Sequence, residues 1–415
     1  MHSIRDDAMQ MIKNIIADNM PCNAVTNALR AHELSENLYM VAIGKAAWTM
    51  AKAACDFLDC KLKQGIVITK YEHSIGDLPN CDVFEAGHPI ADENTIAATE
   101  KAIKLVSGLG EGDEVLFLVS GGGSALFEKP LEGISLIDIG SITNRLLASG
   151  ADIVEMNIVR KRLSAVKAGR FAKITAPAKM FCIVLSDVLG DRLDSIASGP
   201  AVPDKSTAQD AARVINKYNL KLTELQNMYI NEETPKEIGN VKIEITGSVR
   251  TLCESAAKTA NQQGYTPYVL STTINCEAKE AGRFMGQIAE DTKAGRNSFA
   301  TPCAIIAGGE TVVTLRGKGK GGRNQEIALA SAKAIANLDD TLIFSLGSDG
   351  TDGPTDAAGG MVCGGTLAEL KKAGIDIDRS LANNDSYNAL KAADGLIITG
   401  PTGTNVNDVT VILCR

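Results

Sequence analysis

The chain has 415 residues, 45% hydrophobic and 22% charged, close to the averages of about 45–50% and about 25% for globular proteins. This composition excludes an intrinsically disordered chain, and the length is sufficient for two or three domains of roughly 100–200 residues each. The 50 acidic residues outnumber the 42 basic ones, for a net charge of −8. That balance argues against a nucleic-acid-binding protein, because such proteins usually carry a basic face.

Signals for targeting, membrane insertion and metal binding by cysteine are absent from the sequence. No run of about 18 apolar residues could span a membrane, and the first residues lack the basic end, apolar block and cleavage site of a signal peptide. We therefore expect a cytoplasmic protein without a membrane partner. The ten cysteines include no C-x-x-C pair, so we interpret them as scattered reduced thiols rather than a disulfide or zinc framework.

Short β-branched segments alternate with helical segments, the pattern of an α/β protein with largely parallel sheets. In the first half, strands are predicted at residues 38–43, 65–69, 83–86, 114–119 and 180–185, and helices at 45–57, 92–106 and 135–149. A polar helical stretch at 205–240 is interpreted as the connection between domains. In the second half, strands are predicted at 241–245, 266–270, 302–307, 311–315, 341–345 and 409–413, and helices at 248–263, 278–294 and 324–337.

The predicted fold is therefore two three-layer α/β domains. Residues 1–235 are expected to carry a largely parallel, Rossmann-like sheet, and residues 236–415 a mixed sheet. Glycines crowd into loops that follow predicted strands, which is the edge of an open α/β sheet where ligands bind.

The first such loop is V-A-I-G-K-A, in which Lys45 stands where a strand meets a helix. A helix N-terminus already attracts anions, so a cation there opposes the helix dipole. We interpret Lys45 as a residue that faces an anionic ligand, with a solvated surface lysine as the alternative. His88, in E-A-G-H-P-I-A-D, is the only histidine in a comparable loop; we interpret it as structural, with catalysis as the alternative.

The second loop comprises Ser120, Gly121, Gly122, Gly123 and Ser124. Three successive glycines allow the backbone to form a concave nest of N–H groups, and the two serine hydroxyls add donors. This loop is predicted to bind phosphate; a flexible turn before a helix is the alternative.

Two later loops are rich in aspartate. L-S-D-V-L-G-D contains Asp187 and Asp191, whose carboxylates suit Mg²⁺ or could accept a proton from an attacking hydroxyl. Helix capping is the alternative interpretation. G-S-D-G-T-D-G-P contains Asp349 and Asp352. As the alternative interpretation, Asx-turns would explain one or two of the aspartates in this loop.

Between these two loops lies R-G-K-G-K-G-G-R-N-Q-E, a basic glycine-rich segment before a predicted helix. It narrowly misses the Walker A pattern, since Arg323 and Asn324 occupy the last two places. The helix start could still face an anion, and Arg323 could bind a carboxylate or phosphate through two parallel hydrogen bonds. A solvated basic turn is the alternative.

Taken in order, these segments resemble the glycerate 2-kinases of the GckA/TtuD type, the family whose C-terminal half is called the MOFRL domain. The resemblance covers nearly the whole chain and rests on IGKAAWTMA, EAGHPIADENT, LVSGGGSAL, EMNIVRKRLSAVKAGR, LSDVLGDRLDSIASGP, GGETVVTLRGKGKGGRNQE, GTDGPTDAAGG and TGPTGTNVND. The chain departs from the family at one turn, where Lys167-Ala168-Gly169-Arg170 replaces K-G-G-R.

The resemblance implies an ATP- and Mg²⁺-dependent transfer of phosphate to the 2-hydroxyl of D-glycerate, which gives 2-phosphoglycerate. Lys45 and Arg323 match the basic pair of the family's site, one from each domain, and Asp187 is the third expected catalytic residue. The remaining expected site residues are Ser120, Gly121, Gly122, Gly123, Ser124, Gly321, Gly322 and Asn324 for ATP, and Asp187, Asp191, Asp349 and Asp352 for Mg²⁺.

Two alternatives to the kinase stay open, and so does the oligomeric state, a homo-oligomer included. A hydroxypyruvate reductase would need NAD(P)H, yet no G-x-G-x-x-G follows a predicted strand. A non-catalytic sugar-acid-binding protein would bind glycerate without turnover.

Overall fold

The computed structural model describes residues 3–186, 188, 190 and 192–415. The α-helices are α1 Ile4–Asp18, α2 Pro21–Arg30, α3 Ala47–Leu58, α4 Glu93–Val106, α5 Gly123–Leu126, α6 Leu136–Ala148, α7 Ile153–Arg162, α8 Arg170–Thr175, α9 Ala208–Lys217, α10 Glu224–Asn231, α11 Val249–Gln262, α12 Ala278–Lys293, α13 Arg323–Ser331, α14 Thr366–Lys372, α15 Ile377–Ala382 and α16 Ser386–Ala392. None of these described helices combines the length and the apolar character needed to cross a membrane.

Two six-stranded sheets organise the described chain. The strands are β1 Asn37–Ile43, β2 Leu62–Lys70, β3 Cys81–Ala86, β4 Asp113–Val119, β5 Lys179–Leu185, β6 Val241–Gly247, β7 Thr266–Ile274, β8 Cys303–Gly309, β9 Thr341–Gly347, β10 Gly359–Cys363, β11 Leu396–Ile397 and β12 Asp408–Cys414.

The first sheet has the order β3-β2-β1-β4-β5-β6 and is parallel throughout. Its central strands are continuous apolar runs because both faces of the sheet are covered. Along β1, Met40 and Ala42 belong to one buried cluster, whereas Val41 and Ile43 belong to another on the opposite face. Two cores on one sheet confirm the predicted three-layer, parallel arrangement.

The second sheet has the order β11-β10-β9-β12-β8-β7. Only β7 and β8 pair in parallel, and the other described pairs are antiparallel. Helix α11 packs on β7 and β8, while α12 packs on α13. The mixed C-terminal sheet predicted from the sequence is confirmed.

The chain divides into two compact units that differ from the predicted division at residue 235. One contains Ala24–Thr246; the other contains the residues up to Asn23 together with Gly247–Arg415. The strand predicted to open the second domain is β6, and it instead extends the first sheet. The stretch at 205–240 is not a simple connection, since α9 and α10 pack on α7 over a buried apolar cluster.

Three other element predictions are corrected. The segment predicted as a strand at 311–315 makes only one isolated bridge, between Val312 and Glu277, because no full strand lies beside it in the described chain. The helix predicted to reach residue 337 ends at Ser331 and continues as turns. The sequence pattern missed β10, whose first residue, Gly359, has no room for a side chain against the backbone of Ser345.

Candidate active site

The loops after β1 and β4 are joined by hydrogen bonds at the carboxyl edge of the first sheet. The backbone N–H of Lys45 donates to the carbonyl of Gly121 at 2.8 Å, and that of Ala46 donates to Ser120 Oγ at 3.1 Å. Gly44, immediately before, has a φ of +113°. Because β1 and β4 are parallel neighbours, their ends meet, and two of the loops singled out from the sequence become one structure.

We predict that Gly44→Ala destabilises this loop pair. A β-carbon at Gly44 would lie 2.5 Å from the carbonyl oxygen of Ser120, and the positive φ would be strained as well. Urea unfolding should show a loss of about 1–3 kcal/mol in the free energy of unfolding. Gly108→Ala is the matched control, because a β-carbon there meets no atom within 4 Å. Equal losses for both variants would contradict the assigned packing.

The Lys45 side chain lies beside His88 and Gly122. A β-carbon at Gly122 would be 3.0 Å from the His88 ring and 3.1 Å from Lys45 Cγ. Burial, followed by the nearby charge of Lys45, holds the pKa of His88 below its ordinary value. Lys45 is half-buried, and within the described part of the chain it forms no ion pair with a carboxylate.

The serine hydroxyls of the second loop, which are predicted phosphate donors, lie within hydrogen-bond distance of other groups of the chain. Ser120 Oγ is 3.2 Å from the carbonyl of Ile43, and Ser124 Oγ is 2.6 Å from Ser198 Oγ. The N–H of Gly123 also donates internally, to the carbonyl of Ser120. Ser120, 3% exposed, is thus a buried connector between loops, whereas Gly122 lies against the side chains of Lys45 and His88.

A buried lysine, Lys167, holds the end of the same loop through hydrogen bonds. Lys167 Nζ donates to the carbonyls of Ser124 and Phe127 at 2.8 and 3.1 Å, and lies 3.3 Å from a carboxylate oxygen of Glu128. The following residue, Ala168, has a φ of 55°, in the left-handed region that favours glycine. This backbone conformation accounts for the glycine that the resembled family carries at that turn.

Asp187 and Asp191 lie outside the described residues, so their catalytic and metal-binding roles remain predictions. Throughout the described residues, no three His, Cys, Asp or Glu side chains are grouped so that they could hold a metal ion. Asp349 and Asp352 are described, and both line one cavity of ≈ 700 Å³.

This cavity brings together much of the site predicted in the C-terminal half. Gly321, Gly322 and Arg323 line it with the two aspartates, and Glu326 lies on the same wall. The preceding part of the basic loop, residues 316–320, is held by hydrogen bonds to another segment of the chain. The N–H groups of residues 316–318 and 320 donate to side-chain oxygens of residues 383–385. Any backbone donors for an anion therefore come from the end of the loop.

Arg323 is held in place by two carboxylates. Its Nε is 2.6 Å from Asp408 Oδ2 and its Nη2 is 3.1 Å from Asp408 Oδ1, while Nη1 is 3.0 Å from Glu310 Oε1. Burial raises the pKa of Asp408 to about 6, although the charge of Arg323 opposes that rise. Neither Glu310 nor Asp408 was predicted as a site residue. Each stands at a sheet edge beside a glycine-rich loop, and that position is the one sequence signal that could have identified it.

The first turn of α13 is capped by the carboxylate of Asp352. The carboxylate of Asp352 accepts the backbone N–H groups of Asn324 at 3.1 Å and Gln325 at 2.9 Å. The first turn therefore already binds an anion of the chain itself. Asp352 is only 2% exposed, and burial raises its pKa. This geometry favours helix capping over the predicted Mg²⁺ ligation.

Asn324, a predicted ATP-binding residue, is not among the residues that line this cavity. Its side chain is 1% exposed, and its Oδ1 accepts a hydrogen bond from Ser345 Oγ at 2.6 Å. Asn324 thus ties α13 to β9 rather than presenting its amide to ATP. Asp349, by contrast, is half-buried on the cavity wall, where its Oδ1 accepts the N–H of Thr351 at 3.0 Å.

The fold and these loops define an α/β protein with two sheet-based units, in which basic side chains follow glycine-rich loops at strand ends. Residues 7–229 match the family described as "Domain of unknown function (DUF4147)", and residues 303–408 match the MOFRL family. The chain is 50% identical over 409 residues to a D-glycerate 2-kinase of Thermotoga maritima, covering 99% of this chain and 98% of that protein.

Structural similarity agrees with the sequence match. The crystal structure of a glycerate kinase from Thermotoga maritima superimposes with a TM-score of 0.96 at 50% identity, covering 99% of each chain. A relative named "Putative hydroxypyruvate reductase", from Agrobacterium vitis, is 39% identical over 98% of this chain and 94% of its own. The chain belongs to the glycerate 2-kinase family, defined by its DUF4147 and MOFRL regions.

Proposed function

We propose that this protein transfers the γ-phosphoryl group of ATP to the 2-hydroxyl of D-glycerate, releasing ADP and 2-phosphoglycerate. The observation that carries the proposal is the orientation of Arg323, held by Asp408 and Glu310 on the wall of a glycine-rich cavity. The activity named for the full-length relatives supports the same reaction.

Phosphoryl transfer requires that the protein position the reactants in line and neutralise charge on the transferring group. Arg323 suits this task because its planar guanidinium binds phosphate oxygens directionally, and Asp408 fixes the plane of that group. Lys45 supplies a compact charge, and its side chain is without a carboxylate partner among the described residues. We propose that both contact the transferring phosphate or the glycerate carboxylate.

The nucleotide phosphates are proposed to bind in the cavity beside Arg323. Its volume of ≈ 700 Å³ falls within the range of roughly 300–1,000 Å³ that is usual for ligand pockets. Gly321 and Gly322 form its wall next to Arg323, and their lack of side chains leaves room for Ser386 and Asp352 to pack closely there.

Magnesium is part of the proposed reaction, and the described residues fit it in part. Mg²⁺ usually binds one or two carboxylates together with waters and substrate phosphates, and Asp349 presents such a carboxylate to the cavity. We propose that Asp349 would hold the ion, with Asp187 and Asp191 as the further predicted ligands. When bound, the ion would neutralise phosphate charge. Asp187 remains the predicted base for the 2-hydroxyl proton.

Asp408→Asn tests the support of Arg323 through the pH dependence of activity. Because the pKa of Asp408 is about 6, wild-type kcat/KM should fall as the pH drops through that value and the carboxylate loses its charge. The variant should be roughly 10- to 100-fold less active at pH 8, since one charge-assisted pair is lost. The ratio of wild-type to variant activity should shrink below pH 6. A ratio independent of pH would contradict the assignment.

Protonation of Asp408, which should lower activity, should raise the stability of the folded chain. Its pKa in the folded chain, about 6, exceeds the ordinary 3.8, so the folded state binds the proton more tightly. The stability that protonated Asp408 contributes is present below pH 3.8 and is lost as the pH rises through about 6. Urea unfolding of Asp408→Asn should lack this pH-dependent component.

A pair of assays separates the kinase from its main alternative. The proposal predicts ADP release that requires both ATP and D-glycerate, and no NAD(P)H oxidation with hydroxypyruvate. Oxidation of NAD(P)H without glycerate-dependent ADP release would establish a reductase instead. Glycerate binding without turnover in the presence of ATP and Mg²⁺ would establish a non-catalytic binding protein.

A further inference from the structure

A second, smaller cavity lies beside the loop of residues 120–124. Its volume is ≈ 200 Å³, and its wall includes Ser124, Glu128, Asn144 and Arg160. Pro89, the residue after His88, lines it as well. The cavity therefore adjoins the group formed by Lys45, His88 and Gly122, is separate from the nucleotide cavity, and shares only Ser124 with the site residues predicted from the sequence.

The charges around this cavity do not balance. Glu128 is 2% exposed and lies 3.3 Å from Lys167 Nζ, so these two buried charges neutralise each other. Arg160 has a buried Nε without a hydrogen-bond partner, and none of the described carboxylates forms an ion pair with it. Arg160 is half-buried on the cavity wall, and its guanidinium, with no counter-ion among the described residues, is placed to pair with an anion that enters the cavity.

The neighbouring basic residues already form ion pairs with carboxylates of the chain. Lys161 and Arg162 both lie 3.6 Å from carboxylate oxygens of Asp204, and Lys167 is occupied by Glu128 and two carbonyls. Arg160 is thus the basic side chain of this segment that both faces the cavity and is left without a counter-ion in the described chain.

The size of the cavity limits the anion. At ≈ 200 Å³ it is smaller than the roughly 300–1,000 Å³ of typical ligand pockets, which suits a molecule of a few heavy atoms. A guanidinium group binds a carboxylate through two parallel hydrogen bonds, and the Asn144 amide on the wall offers polar atoms to further oxygens.

We infer that Arg160 binds the carboxylate of the small 2-hydroxy acid acceptor and so determines the acceptor specificity of the enzyme. The inference rests on the proposed function and adds to it the residue that recognises the acid group. An oxyanion in this cavity could also be a phosphate of the nucleotide. Steady-state kinetics with the two substrates varied separately distinguish these sources.

The test compares Arg160→Ala and Arg160→Lys with the wild-type enzyme, using D-glycerate and its neutral amide, D-glyceramide, as acceptors. In Arg160→Ala, KM for D-glycerate should rise roughly 10- to 150-fold while KM for ATP stays unchanged, as expected for the loss of one charged hydrogen-bonding partner. The wild type should prefer glycerate over glyceramide, and Arg160→Ala should lose that preference. Arg160→Lys should retain part of it, because the charge remains.

Arg213→Ala is the matched control, since its side chain is 75% exposed and pairs only with Asp210 among the described carboxylates. It should leave both KM values unchanged, and melting temperatures check that each variant is folded. If Arg160→Ala does not fold, the glycerate-to-glyceramide ratio of Arg160→Lys decides alone. Unchanged discrimination, or a change confined to KM for ATP, would overturn the inference while the proposed function stands. Absence of glycerate-dependent turnover in the wild type would overturn both.

Discussion

Replacing Arg323 by alanine is expected to lower kcat/KM for glycerate phosphorylation by about 10²–10³-fold, the usual effect of removing one donor that stabilises charge in a transition state. The loss should fall mainly on kcat, because the proposed contact strengthens as phosphate charge develops. Arg323→Lys should recover only part of the activity, since lysine keeps the charge but not the planar pair of donors that binds Asp408.

Arg323→Ala also leaves Asp408 buried without its partner, which by itself should reduce stability. The double variant Arg323→Ala/Asp408→Asn removes that unpaired charge, so it separates the catalytic effect from the structural one. Its stability should recover while its activity stays low. The exposed Arg283, paired with Glu280 on α12, is the control. Recovery of activity together with stability would show that Arg323 acts only on the fold.

Lys45→Ala is expected to cost a similar factor of about 10²–10³ in kcat/KM, but with little effect on the free energy of unfolding. The difference follows from its surroundings, because Lys45 has no ion-pair partner among the described residues, whereas Arg323 has two. Lys45→Met keeps the apolar stem beside Gly122 and removes only the charge.

Lys52→Ala provides the matched control for Lys45. Lys52 is an exposed lysine on α3, the helix that follows Lys45, and it pairs with Asp56 within the same helix. It should retain wild-type kinetics. Unaltered kinetics in Lys45→Ala would remove Lys45 from the reaction, whatever the behaviour of Arg323.

The fold could be predicted from the sequence wherever a strand is buried on both faces. Strands such as β1, β4 and β5 are uninterrupted apolar runs because helices cover the sheet on each side. The position of β6 could not be predicted, since a strand's own pattern does not say which sheet it joins. Likewise, β10 begins with two glycines, and its pairing with β9 depends on backbone proximity that no hydrophobic pattern signals.

Some residues of the candidate site could likewise be predicted from the sequence, and others could not. Lys45, Gly122 and Arg323 could be identified because each stands in a glycine-rich loop next to a predicted element. The partners of Arg323 could not, because Asp408 is 85 positions away along the chain and meets it only through the pairing of the sheet. The capping of α13 by Asp352 was missed for the same reason, since those residues are 28 positions apart. Arg160 lies in the segment EMNIVRKRLSAVKAGR but was not singled out there; what marks it is the lack of an ion-pair partner among the described residues.

Transfer of phosphate from ATP to the 2-hydroxyl of D-glycerate can be observed by ¹H–³¹P correlation NMR of the reaction product. With ATP, Mg²⁺ and D-glycerate, the phosphorus signal of the product should correlate with the single proton on carbon 2, and ADP should accumulate in equal amount. A correlation to the two protons on carbon 3 would contradict the regiochemistry. Absence of any phosphorylated glycerate would contradict the account as a whole.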